Sequence, residues 1–144
     1  PTCMQSAKIQ TYSPKNEVPQ HSFFILCKGL NSGKPLEQPT ANCFVMSCES
    51  GEEMKRYYWL CFGLWQSKAF HPHLCGSVIP FLRINDFRKI FAEAAAQAIG
   101  NEPKEQKMVS DLQKLQQLEK LYKQNLLLIA DAKRAVFYKF MRRR

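Results

Sequence analysis

From Met108 to Phe140, apolar side chains recur every three or four residues with no glycine or proline between them. This pattern predicts one long amphipathic helix over residues 103–144. Met108, Leu112, Leu115, Leu118, Tyr122, Leu126, Ile129, Ala132, Val136 and Phe140 step close to the roughly 3.5-residue repeat of a coiled-coil seam. At about 1.5 Å per residue such a helix runs to roughly 60 Å, about twice the width of a small domain. Part of its stripe therefore needs a partner, most simply a second helix from another copy.

Upstream the period changes. Residues 1–20 hold three prolines and no sustained pattern, which suits an extended arm or a first edge strand. Residues 21–28 (HSFFILCK) and 42–48 (NCFVMSC) are short apolar runs that predict buried strands, with a loop over 29–39 between them. Over 52–66 the steps of three and four return at Met54, Tyr57, Tyr58, Cys61, Leu64 and Trp65, a helix that Ser50 caps. Residues 69–76 read as a loop. Residues 77–82 read as another apolar, strand-like run broken by Pro80, which suggests an edge or a bulge. Asn85 is the expected cap of a helix from Asp86 through the alanines to Gly100, and Pro103 suits the first turn of the long helix. The expectation is an α+β fold: a small mixed sheet with packed helices over 1–100, then one long coiled-coil-like C-terminal helix over 101–144.

The chain's 144 residues and 45% apolar content support one domain with its own core. No run of eighteen or more uncharged apolar residues exists and the start lacks a secretory pattern, so a soluble, cytoplasmic protein is expected, with no membrane contact. Six cysteines occur, none in the last 69 residues, and in that compartment they are expected reduced. The net charge of +9 is uneven. Residues 1–100 carry ten Lys or Arg against seven acids, whereas 101–144 carry eleven against five. Lys133, Arg134, Lys139, Arg142, Arg143 and Arg144 follow the last acid, Asp131. A cationic helix end favours a polyanion, nucleic acid above all. Cations there also complement the helix dipole, although fewer than six would do so.

Local chemistry is sparse. His71, His73 and Cys75 alternate, with Cys43 and Cys48 upstream, but no two cysteine pairs with the close spacing of structural zinc sites occur, so no metal is expected. No motif pairs a thiol with a histidine base. The loop Gly29-Leu30-Asn31-Ser32-Gly33-Lys34 follows a strand as a phosphate loop does, yet Pro35 stands where that motif needs Ser or Thr. Neither a methyl-donor glycine motif nor paired catalytic carboxylates occur, so neither enzymatic chemistry nor a cofactor is expected. The glycine loop can still approach a nucleic-acid backbone closely, with Lys28 and Lys34 neutralising phosphate.

The order of these segments resembles the target-recognition domains of the DNA specificity subunits of type I restriction-modification enzymes. The likeness rests on FFILCKGLNSGK before NCFVMSC, then the Tyr- and Leu-rich YYWLCFGLWQS and the stretch GSVIPFLRINDFRKI. PKEQKMV then opens the long helix, with Pro103, Glu105, Gln106 and Val109 in the family's positions, and the helix itself is similar to the family's spacer. The chain departs from that pattern in its alanine-rich stretch over 92–100, its smaller body and its single copy of domain and spacer. The resemblance implies a half-subunit that binds double-stranded DNA as a homodimer, or beside a related helix-bearing subunit, while a methyltransferase partner supplies the chemistry. Lys28, Asn31, Ser32, Lys34, Gln66, Lys68, His71 and His73 would then make phosphate and base-edge contacts. The alternative is an adaptor or inhibitor that docks on another protein through the long helix and reads no DNA.

Overall fold

The computed structural model describes residues 7–142. Its four strands are β1 (Lys8–Thr11), β2 (Ser22–Leu26), β3 (Pro35–Leu36) and β4 (Cys43–Ser47). Three α-helices follow: α1 (Gly51–Gln66), α2 (Ile84–Ala98) and the 40-residue α3 (Glu102–Met141), with a 3-10 turn at His71–His73. The class is α+β with a long C-terminal helix, as the patterning predicts.

The strands lie in the order β1-β4-β2-β3, and every pairing is antiparallel rather than mixed. Parallel neighbours need a crossover of a dozen or more residues, usually a helix, and no helix separates these strands. The 29–39 segment, expected as loop throughout, contributes β3, which pairs Leu36 with Phe24. Pro35 is tolerated there because β3 is an edge strand, where a missing N–H is not needed. β1 forms the other edge.

Alternation along the central strands builds two cores. Phe23, Ile25, Phe44 and Met46 face the helices, while Phe24, Cys43 and Val45 face the opposite way beneath Tyr12 and Leu36. This two-sided burial is why the runs read as continuously apolar. The Ser50 hydroxyl accepts from the Glu53 N–H at 3.1 Å and caps α1 where expected, while Glu53 Oε1 accepts from the Glu49 N–H. On the helix face of the sheet, the fully buried Phe87 of α2 has Phe44, Phe70 and Phe91 within 5.5 to 5.9 Å between ring centres.

Two local expectations fail. Residues 77–82 form no strand: Phe81 makes isolated bridges to Lys28 and Cys75, and Val78 is 89% exposed. Pro80 has no N–H to extend a ladder. Asn85 is not the cap of α2, which begins at Ile84 after Arg83, and its Oδ1 instead accepts from Arg88. Packing of Leu82 and Ile84 against the core sets that start, overriding the local cap preference. Pro103 lies in the first turn of α3, as expected.

The chain divides into two compact units, Pro1–Val109 and Ser110–Arg144. The opening turns of α3 belong to the first, where Glu105 and Val109 are buried. No helix among the described residues is long and apolar enough to cross a membrane.

Candidate nucleic-acid interface

One end of the sheet gathers three segments that are distant in sequence. The first is the turn after β2. Gly33 donates its N–H to the Leu26 carbonyl at 2.7 Å, and Ser32 donates both its N–H and its hydroxyl to Gly29, the latter at 2.6 Å. Gly29 and Gly33 have φ of 94° and 99°, the left-handed region that glycine enters without a Cβ penalty. At Gly33 a Cβ would also lie 2.1 Å from Phe70 Cδ2, so this turn packs against the chain that leaves α1.

The second segment ends α1. Lys68 donates its N–H to the Trp65 carbonyl and Ala69 to that of Leu64, a Schellman motif with Lys68 in the left-handed position at φ 62°. The 3-10 turn His71–His73 follows directly. The third segment closes the edge through Phe81, which bridges Lys28, and through Pro80, whose carbonyl accepts from Gly29.

The expected contact residues divide accordingly. Lys28, Asn31, Gln66, Lys68, His71 and His73 are all exposed on these three segments. Ser32 is not available: it is 1% exposed, and its hydroxyl is spent inside the turn. Lys34 is half-buried with its Nζ 5.2 Å from the centre of the Trp65 ring, a cation-π contact that holds the side chain against α1. Trp65, read from sequence as part of a helix face packed on the sheet, is half-buried at this rim. Leu30, Val78 and Ile79 are exposed on the same segments, where sequence patterning assigned a strand to the latter two. The Gly76-to-Pro80 spacing was the available sign of a turn.

The electrostatics of this end follow from sequence placement. No acid occurs between Glu17 and Glu37 or between Glu53 and Asp86, so the carboxylates nearest in sequence to Lys28, Lys34, Lys68 and Arg83 are Glu37 and Asp86. Asp86 pairs with Arg83 at 3.1 Å. The acids of α1, Glu52 and Glu53, lie in its first turn, at the opposite end of the 16-residue helix from Lys68.

Titratable groups elsewhere serve the core. Burial pushes the Cys61 thiol well above its ordinary value, and burial with the nearby Glu53 charge pushes that of Cys48 up to about 12. Such thiols are poor nucleophiles and poor metal ligands. Among the described residues, no three His, Cys, Asp or Glu side chains converge to hold a metal, and Cys27, Cys43, Cys48, Cys61 and Cys75 are free. Cys3 lies outside the described residues.

On α3, Met108 and Leu112 are half-buried, whereas Leu115, Leu118, Tyr122, Leu126, Ile129, Val136 and Phe140 are exposed. Arg143 and Arg144, the last cations of the expected tip, lie outside the described residues.

No curated protein matches this sequence. A family profile does, over residues 9–139, from β1 into the distal turns of α3. The chain therefore belongs to DUF6943, a family of unknown function.

Proposed function

We propose that this protein is a non-enzymatic DNA-binding subunit, similar in organisation to half of a type I restriction-modification specificity subunit. Its body contacts the duplex and α3 joins it to another copy. The observation that supports this reading is the convergence of Lys28, Lys68, His71 and His73, all exposed, at one end of the sheet. A cationic, glycine-shaped edge suits a phosphate backbone, because lysines neutralise charge and glycines permit close approach. Asn31 and Gln66, exposed between those cations, are the residue types that reach base edges. Methylation or cleavage would then reside in partner subunits.

The test is retention of a random duplex DNA pool over a salt series. Binding through this end predicts a steep fall of affinity with salt, and Lys28→Ala with Lys68→Ala should lower the log-log slope by about 2, near 0.9 per lost phosphate contact. Replacing Leu115 and Ile129 by Asp should split the oligomer while leaving the body folded. An unchanged mass would reject self-association through that seam.

Burial of Ser32 and capture of Lys34 by Trp65 favour a second reading, an adaptor or inhibitor docking through α3. No DNA retention even at low salt would select it.

A further inference from the structure

The end of the sheet that carries the exposed cations also presents an apolar tip made of two turns. Leu30 stands in the turn after β2, and Val78 and Ile79 stand in the turn over 76–80; they are 67%, 89% and 63% exposed. Neither core of the described residues includes any of the three. Backbone bonds join the two turns. Gly29 donates its N–H to the Pro80 carbonyl at 2.7 Å, and Leu82 donates to that of Cys27 at 2.9 Å. Cys75 and Phe81 close the 76–80 turn by exchanging both backbone bonds at 2.9 Å. Gly76, at φ 93°, permits that closure, since a Cβ there would lie 2.9 Å from the Ile79 carbonyl oxygen and 3.2 Å from the Phe81 ring. The apolar side chains therefore sit on a braced support.

The surroundings of the tip narrow what it fits. Lys28 directly precedes Gly29, and Lys68 and His71 flank the segment whose Phe70 packs on Gly33, so cations border the apolar side chains. That combination suits a polyanion with apolar surface between its charges. A lipid surface and a DNA duplex both offer one. Asn31 is exposed beside Leu30, and Ser77 beside Val78. Entry into hydrocarbon would bury that amide and hydroxyl without partners, at a cost, whereas the edges of bases supply acceptors to both. On a duplex, phosphates reward only the cations. The apolar faces lie between stacked bases, and minor-groove proteins reach them by inserting side chains such as Leu and Ile while Lys, Asn and Gln hold the groove.

Resting on the DNA-binding reading above, we infer that this tip is a wedge: Leu30, Val78 and Ile79 enter the minor groove, part a base step and bend the duplex. Such insertions kink DNA by roughly 20–90°. Pyrimidine–purine steps such as TA unstack most easily and are the preferred point of entry. The test is fluorescence energy transfer between dyes at the two ends of a short duplex with a central TA step. It is measured with the full chain and with its Val78→Ser, Ile79→Ser double variant, and retention over the salt series is measured on the same samples. The natural chain should raise the transfer at saturation. The variant, with its cations intact, should keep the salt slope of binding but leave the transfer at its free-duplex value. If serine disturbs the turn, alanine at both positions gives the same readout. A bound duplex that stays straight, or a bend that survives in the variant, overturns the wedge and leaves the DNA-binding reading standing. No retention even at low salt overturns both, and uptake by phosphatidylserine vesicles would then reassign the tip to a lipid surface.

Discussion

Arg56 of α1 donates its Nε–H to Glu105 Oε1 of α3 at 2.7 Å, and this ion pair ties two elements 49 residues apart. Glu105 is 6% exposed, and its Oε2 is buried without a hydrogen bond among the described residues. The carboxylate therefore depends on Arg56 for its stability in the core. Arg56→Met should cost about 2 kcal/mol, below the usual penalty for orphaning a buried charge because the arginine side chain is 39% exposed. Glu105→Leu in the same chain should restore most of that loss, since an apolar pair of similar volume replaces both charges. Urea midpoints of the single and double variants measure it.

Lys68 should show opposite effects on stability and binding. An L-residue in the left-handed region carries a penalty of about 1 kcal/mol that glycine escapes. Lys68→Gly should therefore raise the melting temperature while weakening DNA binding and lowering its salt slope. Thermal unfolding and the salt series, run on the same preparation, separate the two.

Gly29 and Gly33 share a backbone conformation but not a neighbourhood. A Cβ at Gly29 meets nothing within 4 Å, so Gly29→Ala should cost about 1 kcal/mol, the backbone penalty alone. At Gly33 the Cβ collides with the Phe70 ring, which is itself 1% exposed and stacked on Phe87. Gly33→Ala should cost about 3 kcal/mol or more, as overpacking adds to backbone strain. Denaturant unfolding of the two variants gives the ratio.

Alkaline pH should weaken the fold through its buried thiols. Unfolded, Cys48 ionises near its ordinary 9.0; folded, it stays protonated to about 12. Between those values the unfolded state binds fewer protons, so stability is complete below pH 9.0 and falls as pH rises toward 12. Cys61 adds a loss of the same sign. Urea midpoints across this range should fall less steeply for Cys48→Ala than for the natural chain.

Much of the architecture was legible in the sequence because it follows from local periodicity. The apolar runs became β2 and β4, the Ser50 cap started α1, and the uninterrupted three-four stepping became α3. The misreadings arose where a partner outside the local window decided the outcome. Leu82 and Ile84 drew the start of α2 ahead of Asn85, and β3 exists only because Leu36 pairs with Phe24 and helps cover it.

The candidate site divides along the same line. Sequence by itself determined which cations are available and that almost no acid accompanies them, since charge and spacing are properties of the chain. Only the tertiary structure decided which polar neighbours remain usable. Asn31 and Ser32 are adjacent and chemically similar, yet Asn31 is exposed while Ser32 is sealed in the turn. The physical reason is the close approach of Phe70 to Gly33, a contact set by where α1 ends and by the aromatic stack on Phe87, which brings the turn and the α1 terminus to one edge.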